Sequence, residues 1–438
     1  MNTGGFGLGI MNNNRTHGLW AETAPALPDF PLFKGEKKTD IVVIGGGYTG
    51  LSAALHLAEQ GTKTIVLEAE HIGFGGAGRN AGLVNAGLWL MPDDVVKIIG
   101  PKYGERLITE LGNSPDLVFD LIEKHKIECE ATRKGTLHCA HSPRGLKALR
   151  LREEQWQQRK APVRLLGKEE AAPKIGSDAF HGALLDLRAG TVQPLAYARG
   201  LAMAAKNAKA EIFTKSPVIK VEPINKKWKI TTNNGTIITK AIIQACQGYA
   251  SHGFKNNMKT LIPFNFFQFA TDPLPEKIRK TILPEGHGAW DTNLILSSYR
   301  LDKAGHLIIG SVGSVDTFGF GLHKSWAKRT INKTFPQLKN LKPGLKIKTG
   351  WSGRIAMTCN HIPRFHIFKD NYISITSYNG RGIGPGSLFG KLIAEYFLND
   401  AHDIIPLPVS KQKNIFTKGI RGFFYEAGAR AYHFIQKR

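Results

Sequence analysis

Two glycine-dense loops carry the clearest chemistry in this chain, one near each end. The first, Gly45-Gly46-Gly47-Tyr48-Thr49-Gly50, directly follows the apolar run Ile41-Val42-Val43-Ile44 and precedes Leu51, Ala54, Leu55 and Ala58 at helical spacing. A strand buried on both faces, a glycine turn and a helix N-terminus together present unpaired N–H groups and partial positive charge to a diphosphate. Gly45 permits the tight turn, Gly47 lets the backbone approach a pyrophosphate, and Gly50 lets the helix pack close to the strand. Tyr48 and Thr49 stand at the helix start. Thr64-Ile65-Val66-Leu67 reads as the next strand and ends on Glu68, 18 residues past Gly50, where a carboxylate can accept hydrogen bonds from a ribose diol. An acid at that tip disfavours a 2′-phosphate and leaves FAD or NAD as the ligand.

Residues 71–87 separate the two. They form a second Gly-rich stretch, with Gly78, Arg79 and Asn80 at its centre, where an NAD domain would proceed to its next helix and strand. A permissive backbone with two side-chain donors suits an extended ligand, which favours FAD. The second loop, Tyr378-Asn379-Gly380-Arg381-Gly382-Ile383-Gly384-Pro385-Gly386-Ser387, lies between an alternating strand (371–377) and an apolar helix (388–398). Its helix dipole would stabilise negative charge developing at a flavin edge, which brings both ends of the chain to one ligand. Three residues are candidates for the substrate side. Tyr299 and Arg300 end a predicted strand, Arg300 being suited to a two-pronged carboxylate pair. His361 is a candidate base, although a lone histidine after a strand more often serves structure.

The elements that must position these groups follow from pattern. The 438 residues suffice for about two or three domains. Helices are predicted over 103–125, 144–160 and 195–208, and strands over 212–213, 218–221, 228–231, 237–239 and 241–245, with Asn233-Asn234-Gly235 as a hairpin turn. Alternating strands near 261–271, 293–300 and 306–311 predict an antiparallel sheet distinct from the opening parallel unit. The four cysteines show no CxxC, so neither a disulfide scaffold nor a metal site is expected, and reduced thiols fit a cytoplasmic protein. No apolar run approaches the ~20 residues of a membrane span, and the Gly-rich start does not read as a secretory signal.

The net charge of +24 is distributed unevenly: residues 1–150 carry 16 charges of each sign, residues 151–300 carry 22 basic against 12 acidic, and 301–438 carry 21 against 7. Such a field attracts nucleic acid, anionic lipid or an acidic substrate. The lysines are scattered, no zinc-finger, RRM or KH pattern occurs, and a solvated surface is the simpler reading. The basic, aromatic tail 401–438 is expected to be a packed terminal helix rather than a peripheral membrane contact.

Taken in order, these features resemble the FAD-dependent oxidoreductases of the D-amino-acid oxidase superfamily, and within it the gamma-glutamylputrescine oxidase-like branch. The resemblance rests on Ile44 to Ser52, on Ile72-Gly73-Phe74-Gly75 with Gly78-Arg79-Asn80, and on Ser216-Pro217-Val218. It continues through Tyr299-Arg300-Leu301, Gly353 to Thr358 and Tyr378 to Gly382, with Trp20, Thr23 and Ala24 as a short N-terminal signature. It implies an α/β fold with a discontinuous, Rossmann-like FAD-binding domain (39–95, 184–260, 346–400). A substrate or cap domain with a large antiparallel sheet (96–183, 261–345) would cover the flavin. The first 38 residues, with Asn12-Asn13-Asn14 and a Pro-spaced stretch, read as a poorly ordered lead-in, and order is expected to begin at Asp40. Val218 would hold the adenine through its backbone, and Gly380, Arg381, Gly382 and Ile383 would lie along the flavin. The implied reaction is hydride removal from a carbon beside an amine nitrogen of an amine or amino acid, a gamma-glutamylated polyamine first among them. Three departures bear on this. Ser352-Gly353-Arg354 stands where covalent relatives carry a cysteine, so non-covalent FAD is expected. No lysine occurs in His306 to Gly310, where an oxygen-activating lysine is looked for. Thr358-Cys359-Asn360-His361 lacks the expected acid. The alternative function is a flavoprotein acting on nucleic acid, of the tRNA-modification type.

Overall fold

The computed structural model describes residues 17–249, 261–315, 319–411 and 418–435, with the backbone alone for 418–426. Two eight-stranded sheets carry the chain. At the centre of the first lies Gly35–Ile44, whose last four residues are all buried, as an apolar run covered on both faces must be. Thr64–Leu67 and Gly235–Gln244 pair with it in parallel, one on each side. Glu211–Phe213 and Tyr372–Thr376 extend the parallel set outward. Val218–Ile224 and Lys227–Thr232 add an antiparallel meander, and Thr232 pairs with Gly235 across the two-residue Asn233-Asn234 turn. Helix Tyr48–Glu59 packs against helices Pro194–Asn207 and Ile383–Leu398. The last approach is close, since a Cβ on Gly390 would stand 2.6 Å from the Ser52 Cβ.

The second sheet runs in the order Ile347–Met357, Ile262–Pro273, His306–Val312, Ser298–Leu301, Gly288–Asp291, Thr136–Cys139, Ala183–Asp186, Val163–Leu166. It is antiparallel except where Gly288–Asp291 meets Thr136–Cys139. Strand alternation divides its faces. Phe267, Phe269, Tyr299 and Ile309 enter an apolar core with Trp326 and Phe335, whereas Phe264, Phe266, Gln268, Ser298 and Gly310 face a cavity between the sheets.

Three expectations are corrected. The boundary at 346 is misplaced, because Ile347–Met357 pairs along its length with Ile262–Pro273 and belongs to the antiparallel sheet, as does Ala183–Asp186. The order placed at Asp40 begins earlier, in strand Gly35–Ile44 and helix Leu19–Thr23. The described part of the lead-in is built into the core: His17, Leu19 and Trp20 are buried, and the Trp20 indole donates to the Asn80 carbonyl. The remainder of the lead-in, 1–16, lies outside the described residues. In the tail, helix Lys418–Ile435 packs on strand Ile262–Pro273 and helix Gly319–Thr334, burying Ala429 and His433. Among the described residues, no helix is long and apolar enough to cross a membrane.

Candidate cofactor and substrate site

A cavity of about 740 Å³ lies between the two sheets, and both glycine loops open into it. The first loop is fixed from below. Gly45, at φ +115°, donates its N–H to the Leu67 carbonyl at 2.9 Å. A Cβ on Gly50 would stand 2.0 Å from the Gly45 carbonyl oxygen, so helix Tyr48–Glu59 approaches the strand more closely than any side chain allows. Gly47, by contrast, faces open space, where a Cβ would meet nothing nearer than 3.8 Å. No side chain caps this helix or helix Ile383–Leu398, and the residues that open both, Gly47 and Gly382, line the cavity. Two uncapped N-termini and an open glycine backbone match the needs of a diphosphate-containing ligand.

Glu68 lines the same cavity. Its Oε2 accepts from Gly46 N at 2.6 Å and its Oε1 from Glu70 N at 2.9 Å, so the carboxylate steadies the turn from which it would reach a ribose. Burial raises its pKa, and the two N–H donors oppose that shift. The loops are joined directly: Thr49 Oγ1 and Tyr378 Oη are 2.8 Å apart, and Ser52 Oγ donates to the Ser387 carbonyl at 2.6 Å.

Of the residues singled out from sequence, Gly45, Gly47, Tyr48, Thr49, Glu68, Asn80, Val218, Gly380, Arg381, Gly382, Ile383 and His361 line the cavity. Five do not. Gly50 acts through helix–strand packing. Gly78 packs against Leu195 and His17. Arg79 gives its guanidinium to the Phe74 and Ser352 carbonyls over the Phe74 ring and so ties the loop to strand Ile347–Met357. Tyr299 points into the opposite face of its strand, with its hydroxyl against Thr334 Oγ1 at 3.3 Å. Arg300 is buried beneath the Trp20 ring and bonds the carbonyls of Val192 and Gly82, so it has no reach to a substrate.

Several wall residues escaped the sequence reading. Trp89 and Trp290 flank the Arg381 guanidinium, 4.9 and 5.2 Å from their ring centroids. Gln268 is buried at the cavity wall, and its Oε1 has no partner. A polar residue inside the apolar run Phe264 to Ala270 was the available signal. His361 sits at φ +55° in the turn after Ile347–Met357, and its buried Nδ1 is likewise unpartnered. Cys246 is the lining's one cysteine among the described residues; burial pushes its thiol up to about 12, which makes it a poor nucleophile. No lysine lines the cavity among the described residues.

The sequence profile described as "FAD dependent oxidoreductase" (DAO) matches residues 40–396. The "probable oxidoreductase OrdL" of Haemophilus influenzae is 29% identical over 93% of this chain and 94% of its own length. The gamma-glutamylputrescine oxidoreductase of Escherichia coli is 30% identical over 88% of this chain and 90% of its own. Among solved structures, the glycine oxidase of Geobacillus kaustophilus superimposes with a TM-score of 0.69 at 18% identity, covering 86% of this chain and all of that one, a likeness of fold.

Proposed function

Because the chain belongs to the FAD dependent oxidoreductase family, and FAD is therefore its cofactor, we propose that it oxidises a C–N bond of a small amine or amino acid bearing an acidic group. The observation that carries this reading is the cavity itself, in which the two glycine loops and the polar atoms of Gln268, His361 and Arg381 share one space. Bound there, FAD supplies a two-electron acceptor for the hydride on the carbon beside nitrogen, and water hydrolyses the resulting substrate imine.

The chain's own residues do the rest. N–H groups of the Gly45–Thr49 turn would hold the diphosphate, Glu68 would hold a ribose, and the Val218 backbone would meet the adenine. The backbone of Gly380 to Ile383 would lie along the ring system, where the uncapped helix favours negative charge. Gln268 Oε1 accepts a hydrogen bond from the substrate amine. His361 Nδ1 takes the amine proton when the substrate enters as an ammonium; a neutral amine needs no base. Phe264, Phe266 and Met357 exclude water and hold the reacting carbon in place.

Gamma-glutamylated polyamines are the first substrates to test, supported by the Escherichia coli relative and by the fact that, among the described residues, no carboxylate forms an ion pair with Arg381. Anaerobic mixing with amino acids, N-methylated amino acids, glutamylated polyamines and free putrescine should bleach the flavin's visible band with an acid-bearing amine and not with putrescine. Bleaching by free diamines alone refutes the acidic group, and bleaching by none of the panel refutes amine oxidation. Readmitted oxygen should restore the colour slowly, since no lysine lines the cavity among the described residues. No observation favours the nucleic-acid reading.

A further inference from the structure

We propose that Arg381, packed against Trp89 and Trp290, is the seat for the substrate's carboxylate, a role the sequence reading gave to Arg300; the inference rests on the amine-oxidation reading and names its specificity residue. Arg381 is 8% exposed and lines the cavity. Among the described residues, Nη1 is the one guanidinium nitrogen with a protein acceptor, the Ala86 carbonyl at 2.5 Å, and Nε is buried without one. Among the described residues no carboxylate pairs with it, and the acid whose field reaches it, Asp186, is already paired with Arg188.

A second buried guanidinium, Arg152, adds to the positive field, though its own N–H groups are committed to the carbonyls of Trp89 and Leu90. Burial and Arg152 together push Arg381 down to about 9. Burying a cation without a paired anion is unfavourable, so its retention calls for an anion that arrives with the ligand. Trp290 Nε1 is also buried without an acceptor. Trp89 and Trp290, themselves edge to face with ring centroids 4.9 Å apart, pack side by side against the guanidinium, whose remaining N–H groups suit a two-pronged pair with a planar carboxylate. Arg300 is also buried against an indole, but backbone carbonyls take its donors and it lies off the cavity lining.

The test uses holoenzyme and two uncharged-versus-charged probes of one shape, benzoate and benzamide, read by the perturbation of the flavin spectrum. Benzoate should bind and benzamide should not compete. In Arg381→Gln the benzoate Kd should rise roughly 10- to 150-fold, as expected for a lost charged hydrogen bond, while the FAD Kd changes little. Arg381→Lys should recover only part, because a point charge replaces the fork. Equal binding of the two probes by the unmodified enzyme overturns the proposal without recourse to any variant. So does unchanged benzoate affinity in Arg381→Gln, and so does loss of FAD in place of benzoate, which would assign the guanidinium to the cofactor. Failure of the parent reading looks different: Arg381-dependent benzoate binding with no amine reducing the flavin removes amine oxidation and leaves the anion seat.

Discussion

Trp20 and Trp351 meet edge to face, 5.5 Å between ring centroids, and their indoles donate to consecutive carbonyls, Asn80 at 2.9 Å and Arg79 at 3.0 Å. Two segments more than 300 residues apart thereby clamp the Gly-rich 71–87 loop against the cavity. Gly18 makes the contact possible, since its φ is +51° and a Cβ there would stand 2.2 Å from the Trp351 ring.

The clamp predicts that Trp20→Ala costs about 3–5 kcal/mol of stability, the range for emptying a fully buried aromatic site. Trp20→Phe should cost less, keeping much of the volume but leaving the Asn80 carbonyl without its donor, a loss of about 1–3 kcal/mol. Denaturant unfolding of both variants checks the order, and equal losses would show that the indole N–H is idle.

Glu68→Ala should weaken FAD by about 1–3 kcal/mol, roughly 5- to 150-fold in Kd. The carboxylate loses both its ribose contact and its hold on Gly46 N. Quenching of FAD fluorescence on titration into apoprotein measures the effect, and unchanged affinity would remove the ribose role.

Gly50 and Gly382 should respond oppositely to an added side chain. Gly50→Ala drives a Cβ into the Gly45 carbonyl and should impair folding itself. At Gly382 the backbone is at φ −103° and a Cβ meets nothing within 4 Å, so Gly382→Val should fold normally and lose flavin binding or reduction. Normal flavin spectra and turnover in that variant would place the loop away from the ligand.

How much of this was legible in sequence depends on how local each constraint is. The Gly45–Gly50 turn was legible because a tight turn, an open cradle and a close helix contact each demand glycine at fixed spacing from one strand. Arg300 was misread because its partners, Val192 and Gly82, come from elements brought beneath Trp20 only by the complete fold. The same holds for Ile347–Met357, whose sheet is chosen by pairing with Ile262–Pro273. Arg381 lines the cavity from the second loop, yet its aromatic neighbours, from positions 89 and 290, carry no sequence signal of their meeting.

The terminal helix carries a pH prediction. His433 Nδ1 lies 3.0 Å from His323 Nδ1, and His433 Nε2 lies 3.2 Å from Ser311 Oγ, a residue of the cavity wall. Burial, His323 and Arg329 together lower the His433 pKa to about 3, against 6.5 when unfolded. His17, lodged against the Gly73 and Phe74 carbonyls, is lowered to about 3 by burial and by Arg79 and His71. In both cases the unfolded chain binds the proton that the folded chain refuses. Stability is therefore full above about pH 6.5 and falls as pH drops toward 3, by up to about 1.4 kcal/mol per pH unit for each histidine. Glu68 and Asp291, whose pKa values burial raises, work in the opposite direction at the acid end, so the individual histidine is isolated by difference. Denaturant unfolding of the unmodified protein and of His433→Gln should show the variant losing less stability between pH 7 and pH 5. Parallel pH profiles would mean that His433 takes up its proton as readily in the folded protein as in the unfolded chain and that the histidine pair does not hold the helix as a neutral contact.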